Sequence, residues 1–109
     1  MKKFHPRVRA LKLAKEVRKR LTQELGQPVK VIMFGSQARG DAKKDSDIDL
    51  FVILPSLDSK ILNLAFDIAW EVGFDSGKMI SVVPAEKNEL KRLAVSPFYR
   101  AVKSEGVTV

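Results

Sequence analysis

The chain has 109 residues, 45% hydrophobic and 30% charged, a composition that fits one globular domain spanning residues 1–109. It has no cysteine, which excludes disulfides and thiolate metal sites, and no apolar run reaches the roughly 20 residues of a membrane span. The net charge is +7 and unevenly spread: residues 1–30 hold ten Lys and Arg against two Glu, a balance of +8, while residues 31–109 hold ten against eleven acids, a balance of −1.

The opening "MKKFHPRVRALK" is basic and lacks the apolar core of a signal peptide. With the absence of cysteine, this makes a reducing cytoplasm the expected location. The excess charge falls on the expected first helix. Such a face can meet nucleic acid or an acidic partner, or simply be solvated. There is no internal repeat, no low-complexity segment and no linker that would divide the chain.

Pro6 suits the first turn of a helix, and Val8, Leu11, Ala14, Val17, Leu21 and Leu25 recur at helical spacing until Gly26 and Pro28 stop it. "VKVIMF" (Val29–Phe34) is a short β-branched apolar run, hence a buried strand. "GSQARGD" follows directly and reads as a tight turn opening a short helix. "DIDLFVIL" (Asp47–Leu54) is a second strand, ended by Pro55.

Asp58 or Ser59 can cap the next helix, whose apolar face runs from Ile61 to Val72 and which Gly73 is expected to end. "KMISVV" (Lys78–Val83) is a third strand, and "AEKNELKRLA" reads as helical. Ser96 and Pro97 begin a last helix that Gly106 stops. Alternating helices and strands make the class α/β, a small sheet covered by helices.

The chemistry concentrates in "FGSQARGDAKKDSDIDLFVIL". Alternation along a strand puts Asp47, Asp49, Phe51 and Ile53 on one face, with Ile48, Leu50, Val52 and Leu54 on the other. Two carboxylates at that spacing lie roughly 6.6 Å apart, and at an effective dielectric of 20 they repel by about 2–3 kcal/mol. A divalent cation offsets that cost, and Mg²⁺ commonly takes one or two carboxylates plus phosphates. A solvated strand end would offset it too. Gly35 and Ser36, between a buried strand and a helix, aim backbone N–H groups outward where an anion can approach. Gly35 and Gly40 have P-loop spacing, but Asp41 and Ala42 stand where a P-loop needs Lys and Ser or Thr, which excludes it.

On these residues the stretch resembles the signature of the DNA polymerase β nucleotidyltransferase superfamily: strand, Gly–Ser, a short helix with Ala-Arg-Gly, then Ser-Asp-Ile-Asp-Leu. The short length and "PFYRAVKSEGV" resemble its minimal nucleotidyltransferase (MNT) branch, found beside HEPN-domain partners. The resemblance implies a polymerase β-like core with a small mixed β-sheet covered by helices. It implies that Gly35 and Ser36 hold the β- and γ-phosphates of a nucleoside triphosphate and that Asp47 and Asp49 coordinate Mg²⁺. Arg39 would fix the short helix or reach the phosphates, with an ion pair to Asp41 or Asp45 as the alternative. Ser46 would support the turn before the carboxylates.

The implied function is Mg²⁺-dependent transfer of a nucleoside monophosphate, AMP from ATP, to a hydroxyl of a protein partner, with the chain acting as antitoxin to a HEPN ribonuclease. Active members of the superfamily usually carry a third carboxylate on a later strand. "KMISVV" has none; either Ser81, its polar residue, stands in the expected place, or Asp75 before the strand or Glu86 after it swings in as the third carboxylate. The alternative function is therefore a catalytically weak nucleotide-binding subunit that neutralises its partner by contact. A further alternative, nucleic-acid binding through the basic first helix, has no groove-reading motif behind it, and self-association is open.

Of the remaining residues, His5 reads as incidental and Trp70 as core or partner packing. Tyr99 reads as packing or a partner contact. Lys78 is either solvated or placed to neutralise a phosphate. Asp67 and Glu71, like charges at i and i+4, imply an exposed or otherwise paired face.

Overall fold

The computed structural model describes residues 4–109; Lys2 and Lys3, part of the basic excess, lie outside them. Helix α1 (Val8–Leu25) buries Ala10, Ala14, Val17 and Leu21, and Gly26 closes it at φ 67°, its N–H donating to the Thr22 carbonyl. The stripe begins at Ala10: Val8 is 67% exposed, and Pro6 precedes the helix instead of entering its first turn.

Strand β1 (Lys30–Phe34) leads through Gly35 into the four-residue helix α2 (Ser36–Arg39), and a turn carries the chain to β2 (Ile48–Leu54). Asp47 is thus the residue before the strand, not its first. Asp58 caps α3 (Ser59–Ser76) by accepting from the Ile61 N–H at 2.9 Å. Gly73 does not end this helix. It is buried within it, where a Cβ would collide with the Lys78 carbonyl, and Gly77 at φ 67° is the stop. Spacing alone does not separate a terminating glycine from one selected by close packing.

Strand β3 (Ile80–Glu86) runs further than expected, through Pro84, so only the end of "AEKNELKRLA" is helical: a 3₁₀ turn at Lys87–Glu89 and α4 (Leu90–Leu93). Proline is tolerated there because β3 is an edge strand. Helix α5 (Pro97–Glu105) has Ser96 as its cap, and a two-residue strand β4 (Val107–Thr108), not expected from the sequence, follows.

The sheet has the order β3-β2-β1-β4 and is mixed. β1 pairs antiparallel with β2, Phe34 opposite Asp49, and with β4; β2 pairs parallel with β3, Asp49 opposite Ser81. The parallel pair needs a crossover, and α3 provides it. On one face, Val31, Met33, Ile48, Leu50, Val52 and Leu54 form the larger core with buried residues of α1 and α3. On the other, Ile32, Phe51, Ile53 and Ala85 pack against Tyr99 and Val102 of α5. The alternation expected along β2 is what divides these cores. Among the described residues, no helix is long and apolar enough to cross a membrane.

Candidate functional site

The site is built where β1 ends beside the start of β2. Gly35 adopts φ 76° and ψ −157°, a conformation open essentially to glycine alone. This sharp turn sets α2 directly after the strand. The first helical acceptor is the Gly35 carbonyl, which takes the N–H groups of Ala38 (3.1 Å) and Arg39 (3.0 Å), so those of Ser36 and Gln37 stand ahead of the helical bonding.

Asp49, directly across the ladder from Phe34, leans back over this turn. A Cβ built on Gly35 would lie 2.5 Å from Asp49 Oδ2. Gly35 is therefore required twice, by its backbone angles and by the carboxylate against it. Asp47 is exposed and Asp49 half-buried. Partial burial pushes the Asp49 carboxyl above the usual carboxylate range, the charge of Asp47 adds to the rise, and Arg39 opposes it.

Arg39 turns sideways from this pair. Its Nε meets Asp41 Oδ2 at 3.3 Å and its Nη1 meets Glu105 Oε2 at 3.1 Å. Those two bonds raise the guanidinium pKa further. The ion-pair alternative to Asp41 is realised, and Glu105, which sequence reasoning missed, joins it from α5. The Ser46 hydroxyl accepts the Lys43 N–H at 2.8 Å and its own N–H returns to the Lys43 carbonyl at 3.0 Å, which closes the turn ahead of Asp47. Buried Gln37, also missed, donates to the Ser46 carbonyl at 3.1 Å and ties α2 to that turn. A glutamine inside "GSQARG", on a four-residue helix flanked by glycines, was the available signal.

His5 acts through its backbone: its N–H donates to the Arg39 carbonyl at 3.4 Å and its carbonyl packs against Gly40. Trp70 is not core; it is 62% exposed and stacks on Phe74 with centroids 4.9 Å apart. Tyr99 is buried against Phe51 at 5.3 Å. Lys78 donates to the Lys44 carbonyl, and Glu71 pairs with Arg20 at 3.7 Å.

Among the described residues no third acid joins the pair. Ser81 occupies the register position beside Asp49 on the same face. Asp75 is exposed in the last turn of α3, the helix covering the opposite face. Glu86 stands opposite Leu54, at the far end of the strand and on the other face. Among the described residues no group of three or more His, Asp or Glu side chains could hold a metal ion. The donor set is two carboxylates, one of them short of solvent, beside unbonded backbone N–H groups. This suits a hard cation that keeps other ligands, such as phosphate oxygens.

Further along β2 and β3, a hollow of about 420 Å³ is lined by Phe51, Val83, Glu86, Glu89, Arg92 and Phe98, among others, and by neither carboxylate of the pair. Phe98 reaches over the sheet and meets Phe34 edge-on at 5.6 Å.

Residues 14–106 match the family model described as a nucleotidyltransferase domain. No curated protein matches the chain. Among solved structures it is similar to a protein from Sulfolobus solfataricus described as a nucleotidyltransferase, at TM-score 0.58 and 22% identity over 93% of this chain and 79% of that one. It is also similar to a chain in a toxin–antitoxin structure with AMP-PNP, at TM-score 0.58 and 19% identity over 84% of this chain and 68% of that one. Identities this low speak for the fold alone. With the family model spanning most of its length, the chain belongs to the nucleotidyltransferase domain family.

Proposed function

We propose that the chain, as a single domain over residues 1–109, transfers a nucleoside monophosphate, AMP from ATP, to a hydroxyl of a protein partner. The observation that carries this reading is the Asp49 carboxylate set 2.5 Å from the Cβ position of Gly35. That closeness puts a cation ligand beside the turn that would take the β- and γ-phosphates. Gly35 and Ser36 would hold the phosphates through backbone N–H groups, and Asp47 and Asp49 would hold Mg²⁺, which when bound neutralises charge on the phosphates and the leaving pyrophosphate. The partner's hydroxyl oxygen forms a bond to the α-phosphorus while the bond to pyrophosphate breaks, and the hydroxyl proton passes to water. Arg39 and Gln37 position: one ties α2 to α5, the other ties it to the turn before Asp47.

The toxin–antitoxin neighbour and the resemblance to the MNT branch support an antitoxin role, with a HEPN ribonuclease as the partner and a cytoplasmic setting. The test is incubation with labelled ATP, Mg²⁺ and the product of the adjacent gene. Label on that product, abolished in Asp47→Asn and Asp49→Asn, is the expected result; ATP binding without label on any partner would sink the transfer reading.

Ser81 beside Asp49 favours a second reading. A hydroxyl does not replace a carboxylate's charge, so the chain would bind nucleotide and neutralise its partner by contact alone. In that case Asp49→Asn leaves neutralisation of the partner intact.

A further inference from the structure

On the sheet face opposite Asp49, a hollow of about 320 Å³ opens between the start of α1 and the turn before β2. Among the described residues five cations line it, Arg7, Arg9, Lys43, Lys44 and Lys78, and no acid does. Three of them are held by neutral acceptors. Arg7 donates to the Ala42 carbonyl at 3.1 Å, Arg9 to the Ser76 carbonyl at 2.8 Å, and Lys78 to the Lys44 carbonyl at 2.8 Å. Among the described residues, none of the five takes part in an ion pair. Three of the five are fixed in position while the charge of all five is not cancelled by an ion pair, and a bound polyanion would relieve their mutual repulsion.

The charge continues outward along α1. Lys12, Lys15 and Lys19 are all exposed, and at 3.6 residues per turn they share one narrow stripe. From Arg9 to Lys19 the row extends roughly 15 Å at 1.5 Å per residue. A free phosphate would fill the hollow and leave this row unused, whereas a nucleic-acid strand presents several phosphates over that length. An acidic protein segment would also bring apolar anchors. The large apolar side chain exposed on this helix is Val8, at its first position. Among the described residues no aromatic side chain lines the hollow, so base stacking has no platform here.

We propose that this hollow and the lysine row of α1 form a binding surface for the phosphodiester backbone of a nucleic acid, without regard to sequence. The carboxylate pair lies on the other sheet face and stays accessible.

The test is fluorescence anisotropy with labelled single-stranded RNA and DNA of roughly 20 nucleotides, at salt from about 50 to 200 mM. The wild-type chain is expected to bind both, more weakly as salt rises. A variant combining Lys12→Gln, Lys15→Gln, Lys43→Gln and Lys44→Gln, residues with no side-chain hydrogen bond, should bind at least about tenfold more weakly. Its salt slope should fall by about 0.7 for each phosphate it no longer neutralises. Lys→Arg at the same four positions should restore binding. A control losing the same charge elsewhere (Lys60→Gln, Lys87→Gln, Lys91→Gln, Arg100→Gln) should bind as wild type, and circular dichroism should show all variants folded. Absence of binding by wild type, equal weakening in the control, unchanged binding by the surface variant, or displacement of the strand by poly-glutamate at equal charge would each overturn the proposal, the last in favour of an acidic protein segment.

Discussion

The carboxylate of Asp49 occupies the space beside Gly35 that any other residue would fill: a Cβ there would lie 2.5 Å from Oδ2. Gly35→Ala should therefore fail for two reasons. The backbone at φ 76° and ψ −157° strains a residue with a Cβ by about 1–3 kcal/mol, and the methyl group displaces the carboxylate. Thermal unfolding should show the loss, and ATP binding should fall even at temperatures where the variant remains folded. A variant of wild-type stability and affinity would contradict this packing.

Asp49 should also cost stability at neutral pH. Its folded pKa is raised by partial burial and by Asp47, so ionisation is harder in the folded chain than in the unfolded one. The penalty is fully present above the folded pKa, shrinks as pH falls through it, and vanishes below the ordinary carboxylate pKa of about 3.9. Asp49→Asn should raise the melting temperature at pH 7, and the gain should shrink as pH falls and disappear only below about pH 3.9. A gain independent of pH would trace to something other than charge.

Ser81 faces Asp49 across the parallel pair. Ser81→Asp places a third carboxylate in the cluster. Without metal this adds like-charge repulsion and should lower the melting temperature. With Mg²⁺ the order should reverse, the variant being stabilised more than the wild type and binding the ion at least about tenfold more tightly. If Mg²⁺ stabilises both proteins equally, Ser81 does not share the site.

Arg39 links α2 to α5 through Glu105. Arg39→Ala loses the bonds to both Asp41 and Glu105 and should lower the melting temperature slightly more than Glu105→Gln, which loses one of them, and the double variant should fall little below Arg39→Ala, because the Glu105 bond is already gone there. High salt should shrink the difference. The KM for ATP separates positioning from phosphate contact: a rise in Arg39→Ala with none in Glu105→Gln would mean that Arg39 also reaches the nucleotide.

Gly73 is buried within α3 against the Lys78 carbonyl. Gly73→Ala adds helix propensity yet should destabilise by about 1–3 kcal/mol through overpacking. Chemical denaturation will show the sign; a stabilised variant would mean that the chain after α3 yields.

The sequence alone determined what depends on near neighbours. Gly26 stops α1, Asp58 and Ser96 cap their helices, the period of two along Ile48–Leu54 divides the cores, and the Gly–Ser turn precedes an acidic pair. Each of these is set by backbone sterics or by side chains a few residues apart. Tertiary structure decided the rest. Sheet register put Ser81 beside Asp49, and the packing of α5 brought Glu105 to Arg39. Folding of the first helix against the β1–β2 turn gathered Arg7, Arg9, Lys43, Lys44 and Lys78 around one hollow. Gly73, Glu105 and β4 were illegible for the same physical reason: their partners are remote in sequence, and only the packed sheet brings them within reach.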